Sequence, residues 1–343
     1  MPDLGGRDYI ETKDFSVEEI DHLVATAGEL KEAFHKGKPT LRLPRQTIFL
    51  LFFDKSTRTR NAFEAGATQL GAHAHFLEPG MLQISHGETA KDTGMMLSRM
   101  GHGIAIRHDL ILGEGNAYLR QVAAGAEVPV INLQCDVDHP TQTLADLMTI
   151  RERFGQDLRG RKIAVSWAFA PSYAKPLSVP QGLISLMPRM GLDVTLAHPP
   201  GFDLMPAEVE RAKAAAREAG VRFEIVDSME AAIEGADIVY PKSWGAYDLM
   251  LQKRDADDEA AIADIEAECL AKNALHRDWI CDRRCMDLAA KEAIYMHCLP
   301  ADRGCEVTDE VIDGPQSVVY DEAENRLHTA KAIMACVMRE RPF

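Results

Sequence analysis

Residues 53–66 read Phe53-x-x-Ser56-Thr57-Arg58-Thr59-Arg60-x-x-Phe63-Glu64-x-Gly66, a run of hydroxyls and arginines placed where an apolar strand pattern gives way to a helical one. Ser56 and Thr57 are good N-caps, and Phe63, Ala67 and Leu70 mark the buried stripe of the helix that follows. A helix start offers unpaired backbone N–H groups and partial positive charge, which suits a phosphate dianion. Ser56, Thr57 and Thr59 add hydroxyl donors, and Arg58 adds a forked cation able to hold two phosphate oxygens at once. The competing reading is an ordinary capped helix with exposed arginines.

Other residues with chemical potential are scattered along the chain. Arg107 ends a strand pattern and His139 precedes Pro140 at a helix start, where it could simply cap. Cys298, on an apolar strand end, is open to a nucleophile reading or to that of a small buried side chain. Cys281 and Cys285, near His276 and His297, lack the Cys-x2-Cys pairing of zinc sites, and no metal is expected. Gly113-Glu114-Gly115 lacks the third glycine of a dinucleotide fingerprint, and no P-loop is present.

Composition bounds the field. The 343 residues suit two domains, and 46% hydrophobic with 27% charged residues is ordinary for a globular chain. A net charge of −15 argues against general nucleic-acid binding. An acidic protein that binds a dianion must gather positive potential in one cleft, so clustered arginines become informative. No apolar run reaches the roughly 20 residues that cross a bilayer. Seven scattered cysteines and no visible secretory signal fit a reducing cytoplasm.

The elements that must position these groups alternate between strand and helix, as in α/β units on parallel sheets. Strands are expected at 48–53, 74–77, 103–107 and 128–134, with helices near 58–70, 89–101, 115–125 and 140–154. Further strands are expected at 162–167, 193–198, 222–226, 238–241 and 293–298. The polar, glycine-bearing stretch 154–162 marks the expected domain boundary, giving residues 1–155 and 156–323. Leu327, Ala330, Ile333, Met334 and Val337 predict an amphipathic helix over 324–339. The acidic stretch 254–268 reads as a solvated helix or insertion.

The run 53–66 resembles the carbamoyl-phosphate motif of the aspartate and ornithine carbamoyltransferases, and further segments follow in that family's order. Gln83 to Thr93 resembles a mobile loop inserted into a neighbouring subunit's site. Arg107, then His139-Pro140-Thr141-Gln142 with Leu144-Ala145-Asp146, then His297-Cys298-Leu299-Pro300-Ala301, and Glu324-Asn325-Arg326-Leu327-His328 complete the likeness. The resemblance implies two Rossmann-like three-layer domains with parallel sheets. The first binds carbamoyl phosphate and takes back the C-terminal helix (324–343); the second binds the amino substrate. It implies that Ser56, Thr57, Arg58 and Thr59 hold the phosphate, with Gln83 and His86 arriving from the next subunit of a homotrimer. Arg58, Thr59, Arg107 and His139 are the implied catalytic set, the last three polarising the carbonyl oxygen. Gln142 and the main-chain carbonyls of Cys298 and Leu299 would hold the carbamoyl NH2, and Arg326 would close the pocket. No cofactor and no covalent intermediate are implied. A non-catalytic metabolite-binding paralogue would be marked by loss of cradle residues, and none of the six segments is lost.

The second half departs from the ornithine enzymes. Their Ser-Met-Gly is here Ser243-Trp244-Gly245, preceded by Lys242, and their asparagine-rich turn is replaced by the proline-rich run 167–180. That run resembles the knotted branch, which includes N-acetyl- and N-succinylornithine enzymes, and within it members of unassigned amine specificity. A trefoil knot in the second domain is therefore expected from the resemblance alone. Lys175, Lys242 and Trp244, with Trp167, suit a carboxylate-bearing amine or amide; each tryptophan is equally open to being core filler.

Overall fold

The structure, a computed structural model, describes residues 2–109, 111–173 and 175–339. Ala174, inside the proline-rich run, and residue 1 and 340–343 at the ends of the expected first domain lie outside the described residues. The chain forms two compact units, Met1–Met148 with Ala323–Phe343 and Thr149–Glu322.

The first unit opens with helix α1 (Val17–His35), started by a capping box in which Ser16 accepts from Glu19 N and the Glu19 carboxylate accepts from Ser16 N. Then come β1 (Thr47–Phe52), α2 (Arg58–Gln69), β2 (His73–Leu77), α3 (Ala90–Ser98), β3 (Gly103–His108), α4 (Gly115–Gly125), β4 (Val130–Cys135) and α5 (Pro140–Phe154). The strands pair in parallel in the order β2-β1-β3-β4. Ile48, Leu50, Leu51 and Phe52 of β1 and the whole of β4 are buried, as expected of strands covered on both faces. Strand order reverses between β1 and β3, and open parallel sheets bind ligands at the carboxyl ends of such strands. Arg58 follows the end of β1, and Arg107 lies near the end of β3 beside a register shift after Ile106.

The second unit holds β5 (Lys162–Trp167), α6 (Ser178–Leu186), β6 (Asp193–Ala197), α7 (Pro206–Ala219), β7 (Phe223–Val226), α8 (Met229–Ile233) and β8 (Ile238–Lys242). It continues through α9 (Tyr247–Arg254), α10 (Glu259–Ala274), α11 (Arg283–Leu288), β9 (Ile294–Tyr295) and α12 (Asp309–Ile312). Its sheet is also parallel, ordered β7-β6-β5-β8-β9, with the reversal between β5 and β8. Trp167 and Lys242 are register partners at that reversal. The last helix, α13 (Val319–Val337), runs into the residues grouped with the first unit.

Two differences from the sequence reading have local causes. The expected strand 293–298 shrinks to Ile294–Tyr295, because the chain turns at His297–Leu299, where Leu299 takes φ 53°. The division into units falls inside α5 rather than in the polar stretch 154–162, which instead contains the helix end: Gly155 takes φ 88°. As read, the acidic stretch is largely a solvated helix: residues 259–268 open α10, capped by Asp258, whose carboxylate accepts from Ala261 N.

Candidate functional site

In the first unit, α2 begins at Arg58 with Thr57 as N-cap, and no side-chain hydrogen bond closes that cap. The hydroxyl that the sequence reading assigned to capping thus makes no cap bond, beside the open N–H groups of a 12-residue helix. Asn61 Nδ2 donates to the Thr57 carbonyl at 2.6 Å and fixes the turn. Arg60 is directed elsewhere: its guanidinium sits 3.5 Å over the Phe76 ring and bonds Glu64 at 2.9 Å.

Thr59 is buried and accepts from Arg326 Nη2, a contact between α2 and α13. The helices approach closely at Gly66, where a Cβ would stand 3.1 Å from Met334 Cε and 3.2 Å from Lys331 Cγ and make those side chains give by a few tenths of an ångström. Arg326 Nη2 also lies 3.4 Å from Nε2 of His139, whose Nδ1 is 3.2 Å from Thr141 Oγ1. His139 supplies the main-chain carbonyl that starts α5, accepting from Gln142 N and Thr143 N, while its ring points at these polar partners.

His139 registers the electrostatics of the site. Burial first, then the charges of Arg326, Arg107 and Arg58, hold its pKa well below the ordinary value of 6.5. Three guanidiniums therefore act on one neutral imidazole, in a chain of net charge −15. Arg107 is held by Asp109 through Nε at 3.0 Å and Nη2 at 2.9 Å, a forked pair that fixes its plane. Burial raises the Asp109 pKa, and Arg107 opposes the rise. Gln142 Nε2 donates to Asp146 Oδ1 at 2.7 Å, so Asp146 orients the carboxamide. The structure thus brings Arg58, Thr59, Arg107, His139 and Arg326 together. Gln83 and His86 stand apart from them on an exposed 3-10 turn.

The second unit is arranged differently. Trp167 and Trp244 are fully buried, and their indole N–H groups donate to the carbonyls of Trp244 at 2.9 Å and Phe202 at 2.8 Å. Of the two readings left open, this geometry is that of core scaffold. Lys242, buried at the end of β8, donates to the Ser243 carbonyl at 2.6 Å and lies 3.8 Å from Glu306 Oε1. Glu306 has no exposed surface and accepts from Ser243 N and Asp302 N, each at 2.7 Å. Burial pushes its pKa up, but Lys242, His297 and Lys175 together outweigh burial and leave it depressed. Lys175 pairs with Asp302 at 2.8 Å. Cys298 and Leu299 follow His297, whose Nδ1 accepts from Leu299 N at 2.9 Å and helps hold the turn in its left-handed conformation.

Glu306 and Asp109 are the functional-site neighbours that sequence reasoning missed. Asp109 carried a signal, since an acid two residues after Arg107 can clamp it. Glu306 carried none. Among the described residues, the cysteines join no three-residue metal-ligating group.

Comparison with known proteins gives the family. Residues 7–152 match the family description "Aspartate/ornithine carbamoyltransferase, carbamoyl-P binding domain", and residues 177–337 match "Aspartate/ornithine carbamoyltransferase, Asp/Orn binding domain". The chain is 43% identical to "Putative carbamoyltransferase YgeW" of Escherichia coli (strain K12), over 93% of this chain and 87% of that protein. It is 37% identical to the ornithine carbamoyltransferase of Halalkalibacterium halodurans, over 98% and 96% of the two chains. Among solved structures, ornithine carbamoyltransferase from Pyrococcus furiosus superposes with a TM-score of 0.85 at 34% identity, covering 98% of this chain and 99% of that one. An acetylornithine transcarbamylase complexed with acetylcitrulline gives 0.87 at 31% identity, covering 97% and 100%. The chain belongs to the aspartate/ornithine carbamoyltransferase family.

Proposed function

We propose that this carbamoyltransferase moves the carbamoyl group of carbamoyl phosphate onto the amine of a small, carboxylate-bearing acceptor, or runs the reverse phosphorolysis. The observation that carries the reading is the field at His139, where Arg58, Arg107 and Arg326 converge on an imidazole kept neutral. In carbamoyl transfer an amine attacks the carbonyl carbon, charge builds on the carbonyl oxygen, and phosphate departs. Ser56, Thr57, Arg58 and Thr59 neutralise the phosphate, and Gln83 and His86 reach it from the neighbouring subunit of a homotrimer. Arg107, Thr59 and His139 donate to the developing oxyanion.

The neutral ring has one N–H, so its tautomer matters. With the proton on Nε2 and Nδ1 accepting from the Thr141 hydroxyl, His139 can serve the oxyanion, and Arg326 must then turn from Nε2 to the substrate. Gln142 and the carbonyls of Cys298 and Leu299 hold the carbamoyl NH2. Lys175 and Lys242 are the acceptor's carboxylate partners. The C-terminal helix is the returning helix of the family, and the proline-rich run forms the knot. The enzyme works in the cytoplasm, in amino-acid metabolism. Among the described residues no helix is long and apolar enough to cross a membrane.

Titration calorimetry tests the donor half: Arg58→Ala should lower carbamoyl phosphate affinity by at least about 100-fold, the scale of a lost charge-assisted contact. Unchanged affinity would remove the phosphate from this helix start. An amine-library screen for phosphate release from carbamoyl phosphate tests the acceptor half. The relatives named as ornithine enzymes favour a second reading, with ornithine or an N-acylornithine as acceptor. Turnover of those amines above all others in the same screen would establish it.

A further inference from the structure

His35, Glu324 and His328 meet outside the catalytic set, with potential ligand atoms all within 4.8 Å of one another. Nε2 of His35 is 2.7 Å from Glu324 Oε1, and Nε2 of His328 is 3.2 Å from the same oxygen. Around a tetrahedral ion with bonds of about 2.0 Å, neighbouring ligands stand roughly 3.3 Å apart, so modest side-chain shifts suffice. We propose that His35, Glu324 and His328 form a three-ligand site for a divalent transition ion of the Zn2+ type, which ties α1 to α13.

Three features support the site. Glu324 and His328 are four residues apart on one helix and face the same way. His35 is the last residue of the 19-residue α1, where the helix dipole favours a cation. The third feature is convergence: both histidines already present Nε2 to the same Glu324 oxygen. The neighbouring cations are engaged elsewhere: Lys31 donates to Asn325 Oδ1 at 2.8 Å and Lys331 to Gln69 Oε1 at 2.9 Å. The partly exposed His35 and Glu324 leave a way in for the ion. Arg326 projects about 200° around the helix from Glu324, so the ion leaves the catalytic face clear.

Among the described residues His328 Nδ1 has no hydrogen-bond partner, so no second hydrogen bond orients the ring. With three protein ligands and no such support, affinity should be micromolar rather than the tighter range of four-ligand structural sites. The test is Zn2+ titration of the chelator-stripped full chain, with metal content, thermal melts and X-ray absorption as readouts. One ion per chain, a raised melting temperature and an oxygen/nitrogen shell without sulfur are expected. His35→Ala and Glu324→Gln, both on partly exposed side chains, should each weaken binding by 10-fold or more, while His73→Ala on β2 should not. A sulfur shell, binding unchanged in both variants, or no binding at 100-fold molar excess of Zn2+ overturns the proposal.

Discussion

Around His139 and around Glu306 the same fold solves opposite electrostatic problems. The first unit gathers Arg58, Arg107 and Arg326 on an imidazole that contributes no charge, and the forked Arg107–Asp109 pair is the carboxylate drawn in beside them. The second unit sets Lys242 against Glu306 and Lys175 against Asp302, so its cations are matched before any substrate arrives. A surplus of positive charge suits a dianion. A matched set is suited to orienting an acceptor, because a carboxylate entering there must share a lysine that already has a partner.

The comparison breaks most visibly at Glu306. Glu306→Gln leaves Lys242 buried without its counter-charge, and should cost about 3–5 kcal/mol, measured by denaturant unfolding. Adding Lys242→Met should recover much of the loss, the coupling expected of direct partners. The depressed Glu306 pKa stabilises the fold above its unfolded value near 4.5, and that contribution is lost as pH falls through the folded value. The Gln variant should lack this part of the acid limb. A variant as stable as wild type would mean that the pair is not the keystone of the second unit.

For the first unit the corresponding break is kinetic. Once the amine screen supplies an acceptor, His139→Ala should lower kcat by about 10²–10³-fold, the scale of one lost oxyanion donor, with KM little changed. The pH dependence of stability has a definite sign. The unfolded chain binds a proton near pH 6.5 that the folded His139 refuses, so its stabilising contribution is complete above 6.5 and declines below it. Stability measured from pH 7.5 down to 5 should fall less in the variant than in the wild type. Equal slopes would place the His139 titration near its ordinary value and remove the arginine field.

How much of this was legible in the sequence follows the range of the interactions. The strand 162–167 and the helix 140–154 are read off directly, because their periodicity and end signals are local. The cradle at Ser56–Arg60 was legible as a helix start, and its reading as a donor site rests on the resemblance of segments far along the chain. Helix α1 announces itself by Ser16 and Glu19, yet nothing in 17–35 bears catalytic chemistry, and the segment drew no reading. Glu306 was illegible, since Ser243 N and Glu306 meet across 63 positions. The two tryptophans show the limit most plainly: an aromatic at the methionine position of a substrate motif looks like a specificity residue until its N–H is found bonded to Phe202 O.

That contrast yields a sharper test of the acceptor side. Trp244→Met restores the ornithine enzymes' side chain, but the indole is buried and donates to the Phe202 carbonyl. A cavity and an orphaned acceptor should cost about 2–3 kcal/mol, with no gain of activity toward ornithine. Ornithine turnover raised 10-fold or more at unchanged stability would return Trp244 to the list of acceptor-selecting residues.

The smallest expected effect separates ligand from scaffold at the cradle itself. Replacing an N-cap threonine by alanine ordinarily costs about 0.5–2 kcal/mol. Thr57 makes no side-chain cap bond in the ligand-free chain, so Thr57→Ala should change unfolding free energy by less than about 0.5 kcal/mol. Its hydroxyl is instead assigned to the phosphate, where losing one charge-assisted hydrogen bond should weaken carbamoyl phosphate about 10-fold. Calorimetry and denaturant unfolding on one variant therefore give opposite answers for the two roles. A full capping loss with unchanged affinity would make Thr57 an ordinary cap and leave the phosphate to Ser56, Arg58 and Thr59.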